Sequence, residues 1–261
     1  MSLPYWIDTH CHLDATEFTD NRAEIHQAAL RQHVKKIVVP AITASSFAQT
    51  RQTAQYPGCY QAYGLHPIFI ATHQEQDLTI LRTWLMQEKA VAVGEMGLDG
   101  FIPGLDQQKQ LDFFYAQLKL ACELDLPVIL HIRKAQDAIL KGLRRFRPKG
   151  GVAHAFNGSA QQAKMFINLG FKLGFGGTMT YTRALNIRRL ASSLPLESIV
   201  LETDSPDIPP AFARDSPNQP AHIPRIAETL AALRQLSLAD IARYTSRNAE
   251  AVFSFSSIPN K

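Results

Sequence analysis

Cysteine is scarce in this chain, and what there is does not pair. Three residues, Cys11, Cys59 and Cys122, stand far apart in 261 with no Cys-x-x-Cys among them. That excludes a disulfide framework and a thiolate zinc site, and it fits a reducing compartment. No run of 18 apolar residues occurs, so no membrane-spanning helix is expected. The segment Met1 to Trp6 carries no basic region followed by an apolar stretch, and the reading is a cytoplasmic protein without a membrane role. Internal repeats and low-complexity tracts are missing, and no Gly-x-Gly-x-x-Gly follows an apolar run, which argues against a dinucleotide-binding open sheet. Strong charge of either sign is also lacking. A net charge of +4 tolerates an anionic substrate but does not demand nucleic acid. With 46% hydrophobic and 19% charged residues, the composition is that of an ordinary globular protein.

What is present is a regular alternation. Short apolar runs, the form that fully buried parallel strands take, recur with longer amphipathic stretches between them. They predict eight strands: Tyr5 to His10, Lys36 to Ala41, Tyr60 to Leu65, Ala90 to Glu95, Val128 to His131, Gly151 to His154, Phe171 to Gly174 and Ile199 to Glu202. Helical spacing is clearest at Leu111, Phe114, Tyr115, Leu118, Ala121 and Cys122, with Asp106 or one of its neighbours as a cap. It returns at Ile223, Ile226, Ala227, Leu230 and Leu233, where Pro224 fits a first turn, and a last helix is expected over Leu238 to Val252. Eight βα units in this length predict an α/β protein, a (β/α)8 TIM barrel forming a single domain over residues 1–261. The active site of such a barrel lies at the C-terminal ends of its strands.

The histidines divide on that criterion. His10, His12, His66, His131 and His154 fall at or just past strand ends, whereas His26, His33, His73 and His222 lie in helical or helix-flanking segments and are expected to be solvated. Two carboxylates join the strand-end set, Glu95 and Asp204. Burying several imidazoles and two acids together without a cation leaves strong repulsions and unmet hydrogen bonds. Such a donor set suits zinc, manganese, iron or nickel, and it exceeds the needs of one tetrahedral ion. If Glu95 bridges, one ion takes His10, His12 and Asp204 and a second takes His131 and His154, the arrangement of a binuclear hydrolytic centre.

Six segments then carry a resemblance. They are Ile7-Asp8-Thr9-His10-Cys11-His12-Leu13-Asp14, Gly64-Leu65-His66-Pro67, Gly94-Glu95-Met96-Gly97-Leu98-Asp99, His131-Ile132-Arg133, His154-Ala155-Phe156-Asn157-Gly158 and Glu202-Thr203-Asp204-Ser205-Pro206. In this order and spacing the chain resembles the TatD-like metal-dependent deoxyribonucleases over nearly its whole length. The resemblance implies a barrel with two divalent cations, zinc, manganese or magnesium, and phosphodiester cleavage, often 3′-to-5′ exonuclease action on DNA. It places metal ligands on His10, His12, Glu95, His131, His154 and Asp204, and a substrate or phosphate contact on His66.

On this reading Asp204 and Glu95 are the catalytic carboxylates, Asp204 accepting the nucleophile's proton, while His66, Arg133 and Asn157 contact the substrate. Asp8 and Glu202 share strand faces with His10 and Asp204 and are candidates to orient an imidazole. The loops after strands 6 and 7 add Ser159, Tyr181 and Arg183. The basic run Arg144 to Lys149 precedes strand 6 and belongs to the opposite barrel face. Fold and ligands alone leave two alternatives open: a small-molecule amidohydrolase or phosphoesterase using the same centre, and a metal-binding protein without turnover. DNA or another phosphodiester is the expected partner, and no stable protein partner is indicated.

Overall fold

The computed structural model describes residues 4–255; residues 1–3 and 256–261 lie outside it. Eight strands run in chain order: β1 (Trp6–Asp8), β2 (Val34–Pro40), β3 (Cys59–Ala62), β4 (Val93–Asp99), β5 (Val128–Arg133), β6 (Gly151–Ala153), β7 (Phe171–Phe175) and β8 (Ile199–Leu201). The α-helices between and after them are α1 (Arg22–Arg31), α2 (Phe47–Thr53), α3 (Glu75–Gln87), α4 (Gln107–Glu123), α5 (Gln136–Phe146), α6 (Ala160–Asn168), α7 (Leu185–Ser193), α8 (Ile223–Arg234) and α9 (Leu238–Val252). All strand pairs are parallel and sequential, in ladders β1-β2-β3 and β4-β5-β6-β7-β8. Two seams close the ring. Tyr63 bridges to Val93, Cys11 bridges to Ser205, and the Thr9 amide donates to Leu201 O at 3.1 Å. The (β/α)8 barrel expected from the alternation is therefore the fold. No helix among the described residues is long and apolar enough to cross a membrane.

Each strand differs from its expected range at one limit or both, and the shifts in β1 and β4 bear on the site. β1 stops at Asp8, so His10 and His12 sit on extended backbone just beyond it, held by His12 N–H to Ser205 O and Asp204 N–H to His10 O, each 2.8 Å. β4 starts later and continues to Asp99, which makes Asp99 a strand residue facing its neighbour. Close approach of β4 and β5 needs glycine there: a Cβ on Gly97 would meet His131 O at 2.0 Å.

A small apolar cluster collects Ile7, Val38, Ala62, Ile129, Val152 and Val200, with Ala249 and Phe253 of the C-terminal segment. Two residues further along their strands, on the same face by parity, come His131, His154 and Glu202. The site thus rests on a dry floor, and the larger core lies between strands and helices.

Helix α4 faces the barrel differently from its apolar spacing. Asp106 caps it, accepting from Lys109 N at 2.9 Å. Its buried face runs through Gln110, Phe113, Phe114, Gln117, Leu118 and Ala121, while Cys122 is exposed. The two glutamines are the reason. Gln110 accepts from Asp99 N at 2.8 Å and donates to Asp99 O at 3.2 Å, and Gln117 makes the same pair of bonds to Leu65 at 2.8 and 3.2 Å. Both satisfy backbone groups at strand ends that no neighbouring strand reaches.

Of the four histidines expected to be solvated, only His33 is exposed. His26 and His73 are buried, at 2.9 Å from Pro57 O and 3.0 Å from His66 O, and His222 is half-buried against Asn218. For His26 and His73 a backbone carbonyl acceptor is what makes the burial tolerable. The basic run closes α5 through Arg147 in the left-handed region and leads into the N-terminal end of β6, with Lys149 paired to Asp125 at 2.9 Å.

Candidate metal centre

At the C-terminal mouth of the barrel the strand-end side chains converge on Glu95. This carboxylate is 1% exposed, and its two oxygens face different histidines. Oε2 lies 3.0 Å from His10 Nε2 and 3.4 Å from His12 Nε2. Oε1 lies 3.1 Å from His66 Nε2, 3.2 Å from His131 Nδ1 and 3.8 Å from His154 Nε2. Asp204 completes the ring, with Oδ1 at 3.5 and 3.6 Å from His10 and His12 and Oδ2 at 3.7 Å from His154.

Hydrogen bonds behind the rings decide which nitrogen faces inward. His12 Nδ1 is 3.1 Å from Pro40 O, His131 Nε2 is 3.0 Å from Asp99 Oδ2, and His154 Nδ1 is 3.0 Å from Glu202 Oε1. Each acceptor takes the N–H of its imidazole, so the opposite nitrogen presents a lone pair to the centre. Three lone pairs and two carboxylates pointing at one another repel unless positive charge lies among them. His66 differs. Its Nδ1 accepts the Ile68 amide at 3.1 Å, so its neutral ring carries the proton on Nε2 and is a donor toward the centre.

The electrostatics agree. Burial disfavours charge on His154, yet Asp204 and Glu202 outweigh it and raise the ring to about 10. His12 is likewise lifted to about 9, against burial, by Glu95 and Asp204. Burial and then His154 hold His10 well below its ordinary value, and burial lowers His66 to about 4. Burial opposes charge on Glu95, but His66 and His10 hold the carboxyl well below the usual range. Burial pushes Asp204 up to about 6, with His154 and His12 pulling the other way. The two carboxylates thus favour positive charge on the His12 and His154 side, while His10 and His66 stay neutral. Three groups in it have the geometry to hold an ion: His10, His12 and Glu95; His10, His154 and Asp204; and His66, Glu95 and His131.

His154 stacks on His10 at 3.8 Å between centroids, and its ring lies 6.5 Å from that of His131. Glu202 orients His154 as strand parity suggested; Asp8 instead accepts backbone amides, from His10 at 3.2 Å and Thr203 at 3.0 Å. Among the loop residues, Asn157 binds Asn186 at 3.1 Å, Ser159 caps α6, and the Tyr181 hydroxyl donates to Pro209 O at 3.0 Å. Arg133 lies on the rim over Phe101. The residue without an assigned role beforehand is Asp99, although its spacing of four from Glu95 on one strand puts both on one face.

Comparisons with known proteins converge on one family. The family model described as TatD related DNase matches residues 7–254. An uncharacterized metal-dependent hydrolase of Escherichia coli K12, YjjV, is 41% identical over 252 residues, which cover 95% of this chain and 97% of that protein. A Pantoea protein described as a 3′-5′ ssDNA/RNA exonuclease, TatD, is 30% identical over 256 residues, covering 94% and 98% of the two chains. The crystal structure of E. coli YjjV superposes with a TM-score of 0.93 at 40% identity, covering 96% of this chain and 98% of that one.

Proposed function

From the premise that the chain belongs to the TatD-related DNase family and is a metal-dependent hydrolase, we propose that it cleaves phosphodiesters in DNA, in the manner of a 3′-5′ exonuclease. The centre would hold two divalent cations, zinc, manganese or magnesium. The observation that carries this reading is the division of imidazoles by Glu95: His10 and His12 on Oε2, and His131 and His154, with the donor His66, on Oε1. A carboxylate with imidazoles on both oxygens is the donor set of a binuclear site. Asp204 adds one oxygen to each side.

Bound there, the ions supply Lewis-acid stabilisation of phosphoryl charge and acidify water. The chain's own groups do the rest. Asp204, set between His10, His12 and His154 at the mouth, is the carboxylate placed to take the nucleophile's proton. His66, neutral and protonated on Nε2, donates to a nonbridging phosphate oxygen, a role it can fill because Ile68 fixes its tautomer. Arg133 at the rim pairs with the substrate backbone, and Asn157 borders the mouth on the β6 side. Asp99 and Glu202 hold the inward aim of His131 and His154.

A second reading keeps the same centre and gives it a small ester or amide, since the fold and donor set do not by themselves choose the substrate. The test loads metal-free protein with manganese, magnesium or zinc and offers 3′-end and 5′-end labelled single-stranded DNA beside small esters and amides. Shortening from the 3′ end that is lost in Asp204→Asn supports the nuclease. Turnover of a small substrate with DNA intact under every metal establishes the second reading instead.

A further inference from the structure

Phe101, in the loop after β4, is 47% exposed. Single exposed apolar residues need no explanation, but this ring is not isolated. The Arg133 guanidinium carbon lies 3.7 Å from its centroid and Lys134 Nζ lies 4.7 Å from it. Both cations are themselves exposed. The three residues come from the ends of adjacent strands, Asp99 pairing with Arg133 in the β4-β5 register. Asp99 also ties the cluster to the centre: Oδ1 accepts the amides of Phe101 and Ile102 at 2.7 and 2.9 Å, and Oδ2 meets His131 Nε2 at 3.0 Å.

An aromatic face backed by two cations at a site rim matches one kind of ligand. A simple anion has no use for the ring, and an apolar group has none for the cations. A nucleotide uses both, its base stacking on an aromatic or guanidinium plane and its phosphate pairing with Arg or Lys. We propose that Phe101, Arg133 and Lys134 form a nucleotide subsite. The base flanking the scissile phosphate stacks on the Phe101–Arg133 pair, and Lys134 pairs with the phosphate next along. This rests on the phosphodiesterase reading and adds to it a preference for strands that carry a base at that position.

The experiment compares metal-loaded wild type, Phe101→Ala and Phe101→Trp on a single-stranded oligonucleotide and on versions with one abasic position. Wild type is expected to show a KM roughly tenfold higher when the abasic position falls next to the cut. Phe101→Ala loses that discrimination, and Phe101→Trp keeps it, with its added tryptophan emission quenched by the intact strand but not by the abasic one. DNA cleavage in which wild type ignores the missing base, or in which Phe101→Ala discriminates as wild type does, overturns the subsite alone. A wild-type protein that neither binds nor cleaves the strand overturns the phosphodiesterase reading together with it.

Discussion

Asp99 Oδ2 stands 3.0 Å from His131 Nε2, across the pair of strands that share the barrel mouth. Burial works against charge on Asp99, but His131 and the amides of Ile102 and Phe101 hold it down to about 2. It is therefore an acceptor on both oxygens, and it leaves His131 Nδ1 bare toward Glu95.

Asp99→Asn tests that orientation with almost no change of shape. The amides of Phe101 and Ile102 demand an oxygen on their side, so the new NH₂ faces His131 Nε2 and favours the tautomer whose Nδ1 bears the proton. Divalent-cation affinity is expected to fall by about 10–100-fold. Competition against a chromophoric chelator measures it, and an unchanged affinity contradicts the assignment.

Gly174→Ala reaches the same centre from behind β7. A Cβ there would lie 2.0 Å from Glu202 Oε2 and 2.6 Å from its carboxyl carbon, so the carboxylate must move off His154 Nδ1 and the Ala155 amide. We expect a loss of cation affinity of about tenfold or more, with the fold retained by circular dichroism. Full affinity alongside a native melting curve counts against the role given to Glu202.

Glu250 on α9 provides a test of pH dependence far from the centre. Lys36 Nζ lies 2.6 Å from its carboxylate and the Tyr5 hydroxyl donates to it, fastening the last helix to the first two strands. Burial opposes its charge, yet Lys36 and Tyr5 hold it below its ordinary value of 4.5. A carboxyl lowered in the folded state contributes stability above the unfolded pKa and loses it as pH falls through the folded one. Glu250→Gln should therefore lower stability at neutral pH by less than about 1 kcal/mol, the pair being partly exposed to solvent. The gap to wild type closes in acid. Urea melts in the presence of chelator at both pH values decide it, and a gap that widens in acid refutes the pairing.

The elements differ in how plainly they can be read without coordinates. Buried parallel strands are short apolar runs whatever their neighbours, which is why the eight segments and the bounds of α9 at Leu238 and Val252 stand where expected. The face of α4 was not legible, because Gln110 and Gln117 are polar and count against a buried face until the strand-end groups they satisfy are known. The burial of His26 and His73 was hidden for the same reason: it depends on the carbonyls of Pro57 and His66, whose approach local spacing does not reveal.

The amino-acid sequence by itself determines the alternation of elements and the position of each strand-end His, Glu and Asp, since both follow from local periodicity and chain order. Closure of the barrel decides what these groups do to one another. It sets the two sides of Glu95, the nitrogen each imidazole turns inward, the burial that moves Asp204 to about 6, and the contact of Asp99 with His131. Parity directs a side chain only relative to its own strand, whereas each of those relations needs a partner brought from a different one.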